Sequence, residues 1–353
     1  MKKHNFSAGP CILPQEVLKK ASEAVLNFND DNLSLIEISH RSKPVVAVME
    51  KAQQLVLELL NLENKGYGVL FLQGGASLEF LMTPYNLLPA HGKAAYLDTG
   101  TWSSKAIKEA KLFGDITVVA SSKDKQYTYI PTDYTIPSDA AYFHCTSNNT
   151  IFGTQMKSFP KSDGYRVCDM SSDIFSRQLD FSSFDLIYAG AQKNMGPAGV
   201  TLVVIKKDIL GKTGRSIPSM LDYSAHLDKD SMFNTPPVFA LYVSMLTLQW
   251  LKDLGGIEAI EKVNNAKAEL LYAEIDNNPL FKGVAAKEDR SIMNATFVLT
   301  DTSLTEKFDQ RCQEAGINGL KGHRSVGGYR ASMYNALPLK SVEVLVNVMK
   351  NLA

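Results

Sequence analysis

The sequence feature that most limits how this chain can fold is a repeated alternation of short apolar runs with longer helical segments. It extends from Pro14 to about Gly255 and predicts seven strands, at residues 69–72, 94–97, 116–120, 141–144, 165–168, 186–189 and 200–205. Because these runs are largely apolar instead of alternately polar, both faces of each strand should be covered. The pattern therefore predicts the α/β class, with a mostly parallel seven-stranded sheet between two layers of helices. In such sheets ligands bind beyond the carboxyl ends of the strands, so polar residues that follow a strand are the first candidates for a functional site.

The pattern changes after Gly255 and Gly256, where helices and strands follow one another less regularly. The segments predicted there are helices at residues 257–276, 304–315 and 339–352 and strands at residues 293–299 and 328–334. This order is typical of a smaller α+β domain. We therefore expect a large domain at residues 14–255 and a small domain formed by residues 256–353 together with residues 1–13. The stretch up to Leu13 shows no strand or helix of its own and is expected to lie across the domain junction.

The charge balance limits the kinds of partner. The 353 residues are 45% hydrophobic and carry 37 basic and 37 acidic side chains, for a formal net charge of +0. This length is sufficient for one large core or for two domains. A neutral chain has no general attraction for nucleic acid or for membrane surfaces, so any anion must be recognised by a few well-placed basic residues.

The first four residues are followed directly by residues 5–10, with no apolar signal core, so we expect no secretory signal peptide in this segment. The longest apolar stretch, residues 236–251, contains Ser244, Thr247 and Gln249 and predicts a buried helix, not a membrane span. The four cysteines are far apart and form no Cys-x-x-Cys pair. Such spacing is typical of reduced thiols, so we expect a cytoplasmic location and no metal site.

A lysine and an aspartate follow two of the predicted strands. Lys193 lies in a loop of small residues after the strand at 186–189, and Asp169 directly follows the strand at 165–168. Pyridoxal 5′-phosphate (PLP) requires a lysine amine, with which it forms a Schiff base, and a carboxylate that keeps its pyridine nitrogen protonated. The pair therefore favours a PLP site; the alternative is a surface lysine and a solvated aspartate.

Other residues near predicted strand ends suit such a cofactor. Gly74 and Gly75 precede a helix expected to start near Ser77, whose hydroxyl and free N–H groups could hold a phosphate. Trp102 could stack on a flat ring, and Thr150 could bond the pyridoxal 3-oxygen. Asn234 and Thr235, before Pro236 and Pro237, could donate to the phosphate. Each residue also has a purely structural alternative. Ser77 could be the N-cap of an ordinary strand-to-helix turn, and Trp102 could be a packing residue. Thr150 could lie in a polar turn, and Asn234 and Thr235 could simply precede a helix that begins at the prolines.

Basic residues form two clusters far apart in the sequence. One is His40 with Arg41, and the other is His323 with Arg324 and Arg330. Because arginines bind carboxylates and phosphates in a bidentate manner, two clusters indicate a substrate with two anionic ends. The alternative for any one of them is a solvated loop charge.

With these residues in view, the chain resembles the phosphoserine aminotransferases, in the class-V branch of the fold-type I PLP enzymes. The similarity extends over nearly the whole chain and includes residues 5–10, 39–41, 73–75, 98–102, 168–172, 188–194, 231–237, 320–324 and 327–332. Its most specific motifs are Gly-Ala-Gln-Lys-Asn at 190–194 and Lys-Gly-His-Arg at 321–324. Some members carry Gly-Arg where this chain has Ala76-Ser77, so the phosphate site here depends on a hydroxyl.

The resemblance implies a role for each candidate residue. Lys193 is the Schiff-base lysine and Asp169 pairs with the pyridinium. The residues implied in cofactor binding are Trp102 and Thr150 at the ring, Ala76, Ser77 and Gln192 at the phosphate, and Asn234 and Thr235 at the phosphate of a second subunit in a homodimer. The residues implied in substrate binding are Arg41 and Arg330, assisted by His40, His323 and Arg324.

The implied reaction is a ping-pong transfer of the amino group from L-glutamate to 3-phosphohydroxypyruvate, giving O-phospho-L-serine. The family also makes 4-phosphohydroxythreonine a possible substrate. The alternatives are another class-V aminotransferase of the alanine–glyoxylate type, a cysteine desulfurase, which would need a reactive cysteine on a mobile loop, and a catalytically silent PLP-binding protein.

Overall fold

The computed structural model describes residues 3–352 and forms nine α-helices and fourteen strands within them. The helices are α1 (Gln15–Leu26), α2 (Lys43–Leu59), α3 (Gly75–Leu87), α4 (Thr101–Ala110), α5 (Tyr223–Leu227), α6 (Val238–Asp253), α7 (Gly256–Asn277), α8 (Thr305–Glu314) and α9 (Leu339–Lys350). The strands are β1 (His4–Asn5), β2 (Tyr67–Leu72), β3 (Lys93–Asp98), β4 (Asp115–Ser121), β5 (Tyr142–Thr146), β6 (Asn148–Asn149), β7 (Thr154–Gln155), β8 (Tyr165–Asp169), β9 (Leu186–Gly190), β10 (Thr201–Lys206), β11 (Phe281–Gly283), β12 (Asn294–Leu299), β13 (Ile317–Asn318) and β14 (Tyr329–Ser332).

The seven strands predicted before residue 255 form one sheet, in the order β2-β10-β9-β8-β5-β3-β4. The pairs from β9 to β4 are parallel, and β10 is antiparallel to both of its neighbours. The α/β class and the mostly parallel seven-stranded sheet are therefore confirmed. Because β9, β8, β5 and β3 run in the same direction, their carboxyl ends lie at one edge of the sheet.

Side chains from successive residues of each strand enter two different cores. In β2, Val69 and Phe71 pack in the core that contains α2 and α6, whereas Leu70 and Leu72 pack in the core that contains α3 and α4. Burial on both faces explains why the strands are apolar throughout. The apolar stretch before residue 251 forms the helix α6, as predicted, and packs against α1 and α2. No helix in residues 3–352 is both long and apolar enough to cross a membrane.

A second sheet, in the order β11-β12-β14, is antiparallel and lies in the C-terminal part of the chain. Its side chains form a separate core with α7, α8 and α9. Helix α7 contributes to both cores, with Ile257 and Ile260 in the first and Leu271 and Ile275 in the second. The division of the chain after residue 255 into two domains stays a prediction.

The N-terminal segment does contain a strand, so the prediction of none was wrong. His4 and Asn5 pair in parallel with Ile317 and Asn318. A two-residue strand of polar residues has no apolar alternation by which sequence could reveal it. Further along, the backbone N–H of Cys11 donates to the carbonyl of Gln192, 3.0 Å away. The segment thus contacts both the C-terminal part of the chain and the loop after β9.

Candidate active site

Asp169 and Lys193 lie at the carboxyl ends of two adjacent parallel strands. Asp169 is the last residue of β8 and is opposite Tyr188 in β9. The loop after β9 carries Lys193, and both side chains line one cavity. The complete lining is Gly75, Ala76, Ser77, Phe80, Trp102, Asp169, Ser171, Gln192 and Lys193. Six of the predicted site residues therefore meet in this cavity.

The Lys193 amine is held in an environment that favours its neutral form. Burial lowers the pKa of Lys193 to about 8, although the Asp169 carboxylate acts in the opposite direction. The positive charge of Arg330 lowers this pKa further. The Nζ atom donates to the Thr150 hydroxyl at 2.8 Å. Thr150 is therefore not part of the cavity lining but is hydrogen-bonded to Lys193, which is.

The Asp169 carboxylate is fixed by Ser171, a residue that our sequence analysis did not select. Oδ1 of Asp169 accepts from the backbone N–H of Ser171 at 2.9 Å and from its hydroxyl at 2.7 Å. The same hydroxyl accepts from the N–H of Gly190 at 3.1 Å and so joins the two strand ends. Burial raises the pKa of Asp169, and the Lys193 charge and the Ser171 donors oppose that shift. The only signal for Ser171 was its place in the motif that follows Cys168.

The first turn of α3 presents unoccupied donors to the cavity. Gly74 is the N-cap with φ 95°, and Gly75 follows at φ 69°, both in the left-handed region that favours glycine. A β-carbon at Gly74 would come within 2.5 Å of Leu78. No side chain among the residues that the structure describes caps the helix, and its N-cap is Gly74, so the alternative in which Ser77 is the N-cap is wrong. The free N–H groups and the positive end of the helix dipole favour an anion beside Ala76 and Ser77.

Trp102 belongs to the first turn of α4. Its ring centroid is 5.6 Å from the Lys193 amine, and its indole N–H is buried without a partner among the described residues. The preceding turn is held by Asp98, whose carboxylate accepts from the hydroxyls of Ser104 and Ser121 at 2.7 and 2.8 Å.

A group of basic residues lies beside the cavity. Nη1 of Arg330 donates to the Thr150 carbonyl at 3.3 Å, while its Nε is buried without a partner among the described residues. Burial lowers the pKa of His323, as do the nearby charges of Arg330, Arg324 and Lys105. The Lys105 amine is 4.6 Å from the centroid of the Trp102 ring. We call Lys105, His323, Arg324 and Arg330 the basic mouth.

Lys105 was missed by the sequence analysis. The available signal was its spacing of three residues from Trp102, which places both side chains on one face of a helix.

Four predicted residues are not brought to the cavity within one chain. His40 and Arg41 lie in a turn before α2, and the Arg41 side chain is exposed, with no hydrogen bond or ion pair to any residue in 3–352. Asn234 lines a neighbouring cavity that also includes Gln73 and Gly74. Thr235 is exposed, and its carbonyl accepts from the Gln73 amide at 2.8 Å. Asn234 therefore lies beside the start of α3 but outside the cavity of Lys193.

The cavity residues fit PLP. The start of α3 with Ser77 matches a phosphate, and the Trp102 ring matches a flat heterocycle. The amine of Lys193 and the carboxylate of Asp169 are the two groups that an aldehyde and a pyridine nitrogen require. The unpartnered indole N–H and the uncapped helix start are donors for which residues 3–352 provide no acceptor.

Comparison with known proteins agrees with this geometry. A model of the aminotransferase class-V family matches residues 3–345. A phosphoserine aminotransferase of Flavobacterium psychrophilum is 72% identical over 352 residues, covering 100% of this chain and 99% of that protein. The structure of phosphoserine aminotransferase from Bacillus circulans subsp. alkalophilus has a TM-score of 0.96 at 43% identity, over 99% of this chain and 98% of that one. The PLP-bound phosphoserine aminotransferase of Trichomonas vaginalis has a TM-score of 0.94 at 36% identity, over 99% of this chain and 100% of that one.

Proposed function

The chain belongs to the aminotransferase class-V family, and from that premise we infer that it transfers the amino group of L-glutamate to 3-phosphohydroxypyruvate. The products are 2-oxoglutarate and O-phospho-L-serine. The observation that carries this inference is the meeting of the Lys193 amine and the Asp169 carboxylate in one cavity. The relatives named phosphoserine aminotransferase support the choice of substrates.

The cofactor is PLP, which supplies when bound an aldehyde that carries the amino group and a protonated ring that accepts electrons. We assign Ser77, Gln192 and the N–H groups of the first turn of α3, including that of Ala76, to its phosphate. Asp169 keeps the proton on the ring nitrogen, because a carboxylate at that position stabilises the positive charge. Trp102 would cover the ring, and Thr150, which is hydrogen-bonded to Lys193, would contact it.

Lys193 moves the proton in this reaction. Its Nζ, with a pKa lowered to about 8, is neutral often enough near neutral pH to take the proton from the α-carbon of the amino donor. The protonated amine would then deliver that proton to the cofactor carbon that receives the amino group, and not back to the α-carbon, so that the donor leaves as a keto acid. Thr150, which accepts from Nζ at 2.8 Å, restricts the direction in which the amine points.

The basic residues bind the substrates. Arg330 and Arg41 hold the anionic groups, and His40, His323 and Arg324 assist them. The same donors must serve the side-chain carboxylate of glutamate and the phosphate of the acceptor, since both occupy the pocket in turn. 4-Phosphohydroxythreonine carries anionic groups of the same kinds and is a further candidate substrate.

The active form is a homodimer. Asn234 and Thr235 of a second copy complete the phosphate site, which agrees with their position outside the Lys193 cavity of their own chain. Apolar side chains on both sides of this segment are exposed: Met220, Phe233 and Phe239 have 46%, 36% and 37% of their surface accessible. Exposed apolar side chains of this kind are suited to contact with another chain. The four cysteines are free thiols, which supports a cytoplasmic location.

The visible absorption spectrum of the purified protein tests the function. We expect a yellow solution whose visible band fades when glutamate alone is added and returns when 3-phosphohydroxypyruvate follows. Recovery with pyruvate or glyoxylate, but not with 3-phosphohydroxypyruvate, would indicate an aminotransferase of the alanine–glyoxylate type. A yellow protein that glutamate leaves unchanged would indicate a silent PLP-binding protein. A protein that stays colourless after incubation with PLP would contradict the assignment of the cofactor.

A further inference from the structure

Three consecutive backbone carbonyls behind the active site accept hydrogen bonds from three asparagine side chains. They belong to Ile174, Phe175 and Ser176, in the turn that follows Asp169. Their donors are the Nδ2 atoms of Asn194 at 2.6 Å, Asn335 at 2.9 Å and Asn264 at 2.9 Å. Each asparagine comes from a different part of the chain: the loop after β9, the segment after β14, and helix α7. We call these three residues the asparagine relay.

The relay members also bond to one another. Nδ2 of Asn264 donates to Oδ1 of Asn335 at 2.8 Å, and the backbone N–H of Asn335 donates to Oδ1 of Asn194 at 2.9 Å. All three side chains are buried. Buried hydrogen bonds of this kind are costly to leave unmade, so they hold their elements in one arrangement.

The positions of the relay residues connect it to both halves of the active site. Asn194 is the neighbour of Lys193, and the turn of Ile174 follows Asp169 after four residues. Asn335 lies five residues after Arg330, which we assign to the substrate anion. The relay therefore connects the segments that carry Lys193, Asp169 and Arg330. None of these three side chains takes part in the hydrogen bonds of the relay.

Lys267 fixes the segment around Asn335 from the other side. Its fully buried amine donates to the carbonyls of Met333, Tyr334 and Leu337 at 3.0, 2.9 and 3.1 Å. With its carbonyls held by Lys267 and its amide held by the relay, this segment has little freedom to shift relative to the loop of Lys193.

We propose that Asn335 is a positioning residue that keeps Lys193 aligned with a substrate held by Arg330. This rests on the proposed function. A displacement of about 1 Å between reacting groups can cost roughly 100-fold in rate, even when the mutated residue touches neither of them. Loss of the Asn335 side chain leaves the Arg330 contact in place, so kcat should fall while the KM for glutamate stays nearly constant.

Asn335→Ala tests the proposal against Asn278→Ala as the matched control. Asn278 lies at the C-terminal end of α7, donates to Glu274 Oε1 and to the Met349 carbonyl at 2.8 and 3.2 Å, and accepts from the N–H of Leu280. Both variants lose buried or half-buried amide bonds. Asn335→Ala keeps the backbone N–H that donates to Asn194, but it loses the bonds to the Phe175 carbonyl and from Asn264 that hold this backbone in place opposite the lysine loop.

The first measurement is amide hydrogen exchange on the protein without PLP. We expect Asn335→Ala to speed exchange roughly tenfold or more in the peptide that contains Met195 and Gly196, whose N–H groups donate to the Ala191 carbonyl. The sheet strands should be unaffected, and Asn278→Ala should leave the lysine loop unchanged. The second measurement is kcat and KM of the PLP-loaded enzyme, where only Asn335→Ala should lower kcat, by about 10- to 100-fold.

Equal exchange at Met195 and Gly196 in the two variants, or an unchanged kcat in Asn335→Ala, would overturn the proposal. If Asn335→Ala does not fold, Asn335→Asp replaces it, since it keeps the side-chain volume but puts an acceptor opposite the Phe175 carbonyl. If the wild-type protein had no transaminase activity, the proposed function would be wrong. The exchange experiment would still decide whether the relay holds the lysine loop.

Discussion

The lysine–aspartate centre (Asp169, Ser171 and Lys193) and the basic mouth meet at one cavity but are built in different ways. The centre stands on the ends of two adjacent strands, and Ser171 bonds to both of them. The mouth is built on an exposed loop, a strand of the second sheet and the surface of α4. Groups that must meet within bonding distance are thus placed where the backbone has least freedom. Groups that must accept two different anions are placed where side chains can adapt.

The two regions also differ in how their charges are compensated. Lys193 and Asp169 act on each other, each favouring the charged form of the other. By contrast, none of the four residues of the mouth forms an ion pair within residues 3–352. Uncompensated cations in a group repel one another unless an anion lies between them. The charges of the centre therefore compensate one another, whereas those of the mouth leave room for an anion, as the proposed substrate binding requires.

Lys193→Ala should have the largest effect, because in the proposed function it removes the group that carries both cofactor attachment and proton transfer. We expect the fold to be retained and transamination to fall by roughly 10⁴-fold or more. Activity is measured with glutamate and 3-phosphohydroxypyruvate. Near-normal turnover would show that the centre is not where the chemistry takes place.

Asp169→Asn should be the next most severe change at the centre. The amide keeps the size of the side chain but cannot stabilise a positive ring nitrogen, so we expect kcat to fall by about 100- to 1,000-fold, or ~3–4 kcal/mol. The control is Asp185→Asn, which alters a carboxylate that accepts from the N–H of Arg166 and from Lys206, away from the cavity. If both variants slow the reaction equally, the ring-nitrogen role of Asp169 is wrong.

The centre could be anticipated from the sequence because strand order and local pattern determine it. Seven apolar runs predicted the sheet, and residues after parallel strands must gather at one edge. The start of α3 was harder to predict from the sequence. A left-handed N-cap at Gly74 moves the first helical residue to Gly75, two positions before the expected Ser77. The two-residue strand β1 was not visible at all, because its pairing depends on Ile317, more than three hundred residues away.

The mouth could be predicted only in part, because loop conformation is not a local property. His323, Arg324 and Arg330 were predicted from their charge, and so were His40 and Arg41. Within residues 3–352, however, no hydrogen bond or ion pair places His40 or Arg41 beside Arg330. Asn234 lines a cavity other than that of Lys193, and its proposed role at the phosphate, like that of Thr235, rests on a second copy of the chain. Lys105 and the relay residue Asn335 carry no motif of their own, since what marks them is a neighbour in space.

Arg330→Ala tests the mouth and should act on binding. We expect the KM for glutamate and for 3-phosphohydroxypyruvate to rise together, with kcat/KM falling by roughly 30- to 300-fold, since a charge-assisted bidentate contact is lost for both. Arg330→Lys keeps the charge and should recover part of the loss. A change confined to kcat would place Arg330 with the centre and remove the distinction between the two regions.

The pH dependence of PLP attachment tests whether Arg330, in the basic mouth, affects the pKa of the Lys193 amine, in the lysine–aspartate centre. Only the neutral amine of Lys193 can attack an aldehyde, and burial lowers its pKa to about 8. The rate of attachment to the protein without cofactor should therefore rise about tenfold from pH 6 to pH 7 and level off above pH 8, whereas an ordinary lysine would continue to about pH 10. In Arg330→Ala the midpoint should move to higher pH, because one cause of the lowered pKa is removed. An unchanged midpoint would show that the mouth does not act on the amine.

Ser77→Ala should give the smallest effect and divides the phosphate site into its two components. The hydroxyl contributes one hydrogen bond, worth about 1 kcal/mol, so the Kd for PLP should rise roughly fivefold. The N–H groups of the first turn of α3 and the helix dipole remain, and they account for the rest of the anion affinity. The Kd is measured by titrating the protein without cofactor and following the visible band.

Ser182→Ala, which removes an exposed hydroxyl bonded to Asp180, is the control and should leave the Kd unchanged. A loss of a hundredfold or more in Ser77→Ala would mean that the hydroxyl, and not the backbone of α3, holds the phosphate. This site would then be as dependent on a single side chain as the basic mouth is on Arg330.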